Sequence, residues 1–305
     1  MAMTLDNLIQ QLDREFSVMD WEADPAMSRL VPKIYRTIGY DYAALFEPDF
    51  CARYNGLMLR ASEIITEVYC AAFPTPEVLE TVLQQAGDQA LLFLHHPLDM
   101  ETSGRGFLPI SPEHLQELIK QGISIYSCHA PLDCHSRIGT AASLASAFGL
   151  QQEREFVQYG IGYAARIGSV SPVTVEEIVR MGQRVFNVER VERGGGNPSP
   201  VTCIAVIPGG GDDPVFFQEA EQLGAQVVIT GEWYTRLLAL ANPNDADWAE
   251  KNREACKAYA HTSSMALLGF SHAATEYLVM ERQLATYFRS LGLPVSCVRQ
   301  SDWWR

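Results

Sequence analysis

The sequence predicts an α/β fold of two α/β domains with mostly parallel sheets and a metal cleft between them. Three observations carry the fold class. Short apolar runs of the kind found in strands buried on both faces recur, at 90–94, 201–207 and 265–270. Segments of helical period separate them, two of them opened by a Thr-Pro or Ser-Pro pair. The chain has 305 residues, 47% of them hydrophobic, enough to bury a full core and, by ordinary domain size, more than one. The division is expected near residue 150, giving an N-terminal domain over 1–150 and a C-terminal domain over 151–305.

Leu5, Leu8, Ile9, Leu12 and Phe16 recur with helical spacing and Thr4 stands where a cap belongs, so the chain opens on an amphipathic helix. Residues 20–60 carry no decisive period. Thr75-Pro76 starts a helix to about Gln85, with Val78 and Val82 facing inward, and a strand follows at 89–94. Ser111-Pro112-Glu113 starts another helix, Gly122 ends it, and a strand follows at 123–128. Residues 139–148, rich in small side chains and stopped by Gly149, form a third helix. In the second half 172–186 reads as helix, 194–200 as a flexible Gly/Pro loop and 201–207 as a strand. A tight turn at Gly209-Gly210-Gly211, a helix to about Leu223, a strand at 225–230 and a helix after Thr230-Gly231 come next. The stretch 242–260, rich in Asn, Asp, Glu and Lys, reads as a solvated loop and helix. A strand at 265–270, a long helix over about 273–290 and a strand at 294–298 close the chain. Strands alternating with helices in this way build parallel sheets, whose carboxyl ends are where ligands bind.

Net charge is −14 and the pI near 4.9, with no Lys/Arg cluster, so a polyanionic partner is repelled and nucleic-acid binding is not expected. The first twenty residues lack both a basic start and a long apolar core, so a secretory signal is not expected. No run approaches the roughly 20 apolar residues a bilayer span needs. Seven cysteines are scattered without any Cys-x-x-Cys pair, which argues against a disulfide framework or a thiolate zinc site. A reducing, cytoplasmic location follows as the expectation.

Three segments place ligand-type residues where an apolar run ends. His95-His96 follows 90–94 and is halted by Pro97; His129-x-x-x-Asp133 follows 123–128; His272-x-x-x-Glu276 follows 265–270. Imidazoles and carboxylates gathered at strand ends are the donor set for a site of two metal ions. Each segment also has a plainer reading. His95 and His96 could be surface-loop histidines, His129 could support a ligand rather than be one, and an i, i+4 His/Glu pair is common on a solvated helix face. Pro131 argues for a loop holding His129 and Asp133, and a carboxylate that gives one oxygen to each of two cations makes Asp133 the natural central ligand. Glu232, ending another apolar run, reads either as a substrate contact or general base, or as an acid in the first turn of a helix. Pro208-Gly209-Gly210-Gly211-Asp212 lacks the Lys-Ser/Thr of a phosphate-binding loop and reads as a turn. Neither a Gly-x-Ser-x-Gly elbow nor a Gly-x-Gly-x-x-Gly after a strand is present.

Taken together, Leu94-His95-His96-Pro97-Leu98, Ser127-Cys128-His129-Ala130-Pro131-Leu132-Asp133, Ile229-Thr230-Gly231-Glu232 and Gly269-Phe270-Ser271-His272-Ala273-Ala274-Thr275-Glu276 resemble, in order and spacing, the Nif-three-like dinuclear metal-centre family. Some of its members carry a GTP cyclohydrolase type two label. The likeness runs from about Asn55-Gly56-Leu57 to the end of the chain. The resemblance implies a two-domain subunit, a toroidal homohexamer, and metal ligands at His95, His96, Asp133, His272 and Glu276, with His129 close by. This chain departs from the family in having Tyr54 where an Asp usually precedes Asn55, in about 40 residues ahead of the usual start, in Trp233-Tyr234-Thr235-Arg236 after Glu232, and in a longer 242–260.

The function expected on this reading is a metal-dependent hydrolase or cyclohydrolase acting on a small molecule through two divalent ions, with Glu232 or His129 shuttling the proton. Mixed His/carboxylate ligation suits Zn, Fe or Mn better than Ca or Mg. Arg236 would help compensate the charge of an anionic substrate. The competing expectation is a non-catalytic metal-binding or scaffold protein that acts through protein contacts.

Overall fold

A computed structural model describes residues 2–39, 41–100, 107–234 and 246–301, with side chains from 248 onward in the last stretch. The chain divides into two compact units: one joins the N-terminal segment to Phe107–His135 and Val279–Ser301, the other is built on Ser136–Leu278.

The strands of the first unit are β1 (Met3–Thr4), β2 (Gly56–Leu59), β3 (Ile64–Ile65), β4 (Glu67–Ala71), β5 (Ala90–Leu94) and β6 (Ile123–Ser127), joined by the last strand of the chain, β13 (Val295–Cys297). β13, β4, β5 and β6 run parallel in that order, β2 closes one edge antiparallel to β6, and β1 pairs with β3. β5 and β6 are buried along their whole length, as strands covered on both faces must be. The expected caps form. Thr75 Oγ1 accepts from Val78 N–H at 3.1 Å to start the helix Pro76–Gln85, and Ser111 Oγ accepts from His114 N–H at 3.2 Å to start Pro112–Lys120. The undecided stretch 20–60 contains the helices Met27–Thr37 and Pro48–Arg53 as well as β2. Met27, Val31, Ile34 and Tyr35 are buried at helical spacing, a period that Pro32 in their midst disguises.

The second unit holds β7 (Gln151–Tyr159), β8 (Gly162–Val173), β9 (Glu192–Gly195), β10 (Val201–Gly210), β11 (Val227–Glu232) and β12 (Ala266–Gly269). Their order is β7-β8-β10-β11-β12-β9. The central three are parallel, and antiparallel strands flank them on both sides. One face of the sheet packs Ile178, Phe186, Phe270 and Leu278, the other Phe217, Val228, Trp233, Cys256 and Leu267.

The structure departs from several expectations. The 194–200 segment is not a loop throughout: Gly194 and Gly195 pair with β12, and a Cβ at Gly195 would stand 2.0 Å from Met265 O, so the glycine permits the pairing. The hairpin β7/β8 is not expected from the residue pattern, and it keeps Pro172 and Val173 in a strand. The helix Val175–Phe186 starts three residues later than Pro172 suggests, where Thr174 and Glu177 form a capping box. Gly209 and Gly210 finish β10 rather than turning after it. The long C-terminal helix comprises His272–Val279, a π turn over Met280–Leu284, and Ala285–Ser290. The helix expected after Gly231 does not begin within the described 232–234, where Glu232 still belongs to β11; Thr235, Arg236 and 242–245 lie outside the described residues, and Ala246–Thr262 is helical. Among the described residues no helix is long and apolar enough to cross a membrane.

Candidate metal centre

In the first unit the chain leaving β5 stays hooked to the end of β4: His95 N–H donates to Ala71 O at 3.2 Å and His96 N–H to Ala72 O at 2.9 Å. The two imidazoles are thereby fixed on the backbone before any side-chain contact is made. His96 stacks flat on Phe73, with centroids 4.2 Å apart, and His95 stands at 73° to it. His95 Nδ1 lies 3.0 Å from Cys128 O. A carbonyl only accepts, so the proton sits on Nδ1 and the neutral ring has its lone pair at Nε2. That Nε2 faces Asp133 Oδ1 at 3.3 Å, an acceptor opposite an acceptor unless a cation or a second proton intervenes.

β6 delivers His129 to the same place, and Asn55 Oδ1 accepts its backbone N–H at 2.7 Å. The loop expected at Pro131 is instead a single helical turn, Ala130–Asp133, because proline in the first positions of a helix has no N–H that the helix needs. His129 and Asp133 remain four residues apart across that turn, with Nε2 and Oδ2 separated by 3.8 Å. His95, His96 and His129 each offer a ring nitrogen within 4.8 Å of the others, and all three are buried. His135, nearby in sequence, turns to Glu15 instead.

Behind His129 stands Asp24, which no sequence pattern marks. Its oxygens lie 3.0 and 3.2 Å from His129 Nδ1, and it also accepts from the N–H groups of Ala26, Met27 and Ala130 and from Asn55 Nδ2. Burial works to raise the carboxyl pKa, but the charge and hydrogen bond of His129, with the N–H groups of Met27 and Ala130, outweigh it and hold Asp24 well below the usual carboxylate range. Burial likewise works to lower the pKa of His129, and Asp24 overcomes it, so the imidazole is raised above its ordinary value.

In the second unit Glu232 closes β11, which sets aside its reading as a first-turn helix acid. Its Oε1 lies 2.9 Å from His272 Nδ1, while His272 Nε2 lies 3.1 Å from Glu276 Oε1, one turn along the helix. A neutral imidazole has one proton for these two carboxylates. Room for Glu276 comes from Gly209, whose φ is +63°: a Cβ there would stand 2.1 Å from Glu276 Oε1 and 2.9 Å from His272 Nε2. Thr275 Oγ1 accepts Gly209 N–H at 3.0 Å and Thr230 Oγ1 accepts Gly211 N–H at 3.2 Å, so these amides already serve the fold. Trp233 is buried in the core, edge-on to Tyr234.

The first unit therefore brings together His95, His96, His129 and Asp133, and the second Glu232, His272 and Glu276. In both, imidazole nitrogens face carboxylate oxygens 2.9–3.8 Å away. A divalent cation satisfies such contacts from both sides, so the residues present fit one. Of the supporting residues, Gly209 stands in the glycine run that the sequence reads only as a tight turn. Asp24 carries no local signal of a site, whereas Asn55, Thr230 and Thr275 stand out only as members of the motifs that carry the family resemblance.

The sequence model of the Duf34/NIF3 (NGG1p interacting factor 3) family matches residues 44–246. A GTP cyclohydrolase 1 type 2 homolog of Pyrococcus horikoshii is 29% identical over 184 residues, 58% of this chain and 69% of that protein. Among solved structures, reduced HcgD from Methanocaldococcus jannaschii aligns with a TM-score of 0.65 at 16% identity, over 98% of this chain and 99% of its own. The structure of protein ybgI, of unknown function, aligns with 0.67 at 18%, over 98% and 99%. At these identities the structural likeness concerns the fold, whereas the sequence match spans most of the chain: the protein belongs to the Duf34/NIF3 family.

Proposed function

We propose that the protein is a metal-dependent hydrolase or cyclohydrolase of a small molecule, using two divalent ions held by His95, His96, Asp133, His272 and Glu276. The observation that carries this is the pairing of buried imidazole nitrogens with carboxylate oxygens at 3.3 Å (His95 with Asp133) and 3.1 Å (His272 with Glu276). Zn, Fe or Mn suits this donor set. When bound, such ions supply Lewis acidity and make water a nucleophile near neutral pH. The chain's own part is orientation and proton handling. Cys128 O fixes the tautomer of His95, and Glu232, one oxygen on His272 Nδ1, is the group assigned to carry a proton through its other oxygen. His129, with its Nε2 beside Asp133, is assigned to the ligand side rather than to the relay. The GTP cyclohydrolase label of the relatives favours a heterocyclic substrate, and the net charge of −14 favours one of low negative charge. The same reading has the protein working as a homo-oligomer, a hexamer by family resemblance, in the cytoplasm, where its seven free cysteines stay reduced.

Elemental analysis of the purified protein tests the reading. The expected result is two transition-metal ions per chain, Asp133→Ala losing at least one while its circular dichroism is unchanged, and hydrolysis of one member of a panel of cyclic amides, nucleotides and phosphoesters that stops with the metal removed. Metal without turnover would leave a scaffold protein. A metal-free protein, or an Asp133→Ala variant retaining both ions, would sink the centre.

A further inference from the structure

Asp24 lies outside the segment that matches the family, 44–246, yet hydrogen bonds with Ala26, Met27, Asn55, His129 and Ala130 tie it to the candidate centre. Resting on the metal-centre reading above, we propose that Asp24 is a positioning residue, contributed by the N-terminal segment, that fixes the proton of His129 on Nδ1 and presents Nε2 to the centre as a ligand.

Both carboxylate oxygens sit within 3.2 Å of Nδ1, and a carboxylate can only accept there, so Nδ1 carries a proton, and in the neutral ring that would bind a metal the lone pair is at Nε2. The carboxylate itself cannot swing. Ala26 and Met27 N–H hold one oxygen at 3.0 and 2.8 Å, and Ala130 N–H and Asn55 Nδ2 hold the other at 3.0 and 3.2 Å. Asn55 completes a closed loop by accepting the backbone N–H of His129 through Oδ1, so ring and main chain of the histidine are located by the same pair of side chains. With Nδ1 so held, the far nitrogen points at Asp133, and the ring centroid stands 5.0 Å from that of His95 and 4.7 Å from that of His96.

The second unit repeats the device with unrelated residues. Glu232 holds His272 by Nδ1 and leaves Nε2 toward Glu276, four residues on, as Asp24 holds His129 by Nδ1 and leaves Nε2 toward Asp133, four residues on. A carboxylate behind a metal-binding imidazole fixes its tautomer and raises its basicity, and loss of such a partner weakens metal binding roughly 10–100-fold. Two independent histidines with the same carboxylate on Nδ1 and the same i, i+4 carboxylate ahead of Nε2 point to one shared purpose.

The test uses the full chain, stripped of metal and titrated with Co²⁺ while the visible absorption is followed. Asp24→Asn keeps the size and part of the hydrogen bonding, so it is the principal variant, with Asp24→Ala beside it. The expected result for Asp24→Asn is a fall in affinity for one Co²⁺ of roughly 10–100-fold with a changed visible band and unchanged circular dichroism. His129→Ala should lose more affinity than Asp24→Asn, and adding Asp24→Asn to His129→Ala should bring little further loss, because Asp24 acts through His129. Co²⁺ affinity and spectrum equal to wild type in both Asp24 variants would overturn the proposal. In the metal-free protein the imidazole ¹⁵N shifts of His129 provide an independent readout: an Nδ1–H pattern altered by Asp24→Asn supports positioning, and identical shifts overturn it. A wild-type protein that takes up no Co²⁺ overturns the centre itself, a failure distinguished from that of Asp24 by the wild type having no affinity to lose.

Discussion

At the scale of single residues, the site is defined by where protons can and cannot be. Cys128 O, Asp24 and Glu232 each take the Nδ1 side of a histidine, and one glycine, lacking a Cβ, leaves open the space that Glu276 uses. Gly209→Ala tests the last point. The substitution puts a Cβ into a left-handed backbone position and onto Glu276 and His272, and should cost roughly 1–3 kcal/mol with loss of bound metal, read by thermal melting and elemental analysis. The pair Asp24–His129 makes a pH prediction for the metal-free protein. Asp24 has its pKa depressed by folding, so its contribution is present above the ordinary carboxylate value of about 3.9 and is lost as pH falls through the lower folded value. His129 has its pKa raised, so its contribution is complete below the ordinary imidazole value of about 6.5 and is lost as pH rises through the higher folded value. The stability gap between wild type and Asp24→Asn, from denaturant titrations, should therefore be widest between about pH 4 and 6.5 and narrow on either side; a gap independent of pH would count against the ion pair.

At the scale of elements, what is legible in the sequence is what is local. Thr75-Pro76, Ser111-Pro112 and the apolar runs of β5, β6, β11 and β12 announce themselves because cap chemistry and double-sided burial leave residue patterns. β7 does not, since Gln151–Glu155 is exposed and charged and reads as a solvated face; it is an edge strand, where charge guards against further pairing. β9 hides behind its glycines for the opposite reason, close approach to β12 and Trp233. The helix Val175–Phe186 offers a test in which local preference and packing disagree. Gly182→Ala improves helix propensity by about 1 kcal/mol, yet its Cβ would stand 2.2 Å from the Phe270 ring. Packing should win, and the variant should melt below wild type by the equivalent of about 1–3 kcal/mol, whereas a raised melting temperature would show that Phe270 can yield.

At the scale of the whole molecule, the candidate ligands are readable one strand end at a time, while the residues that support them are not. Asp24 stands 105 residues from His129, in a stretch without period, and only the closed fold brings the two together. The same holds for the return of the chain to its first unit. Nothing local to Val295–Cys297 says that it pairs in parallel with β4, Val295 opposite Val68 and Cys297 opposite Cys70, or that Val298 N–H ends on Cys70 O at 2.8 Å. The residues just before it are equally committed, for Phe288 is fully buried against Phe93 of β5, with ring centroids 5.7 Å apart. A chain ended after Gly292 keeps Phe288 and loses β13, so β4 becomes an open edge bearing a row of unpaired backbone groups. Such an edge, one strand away from the β5 that carries His95 and His96, should lower the melting temperature and promote self-association, followed by circular dichroism and gel filtration. It should also loosen metal binding, since the backbone of both histidines is held by Ala71 at the end of β4 and by Ala72 just after it. A truncated chain that melts, elutes and binds metal as the full one does would mean that β13 lies on the sheet without supporting it, and that the hold on His95 and His96 is complete within β4 and β5.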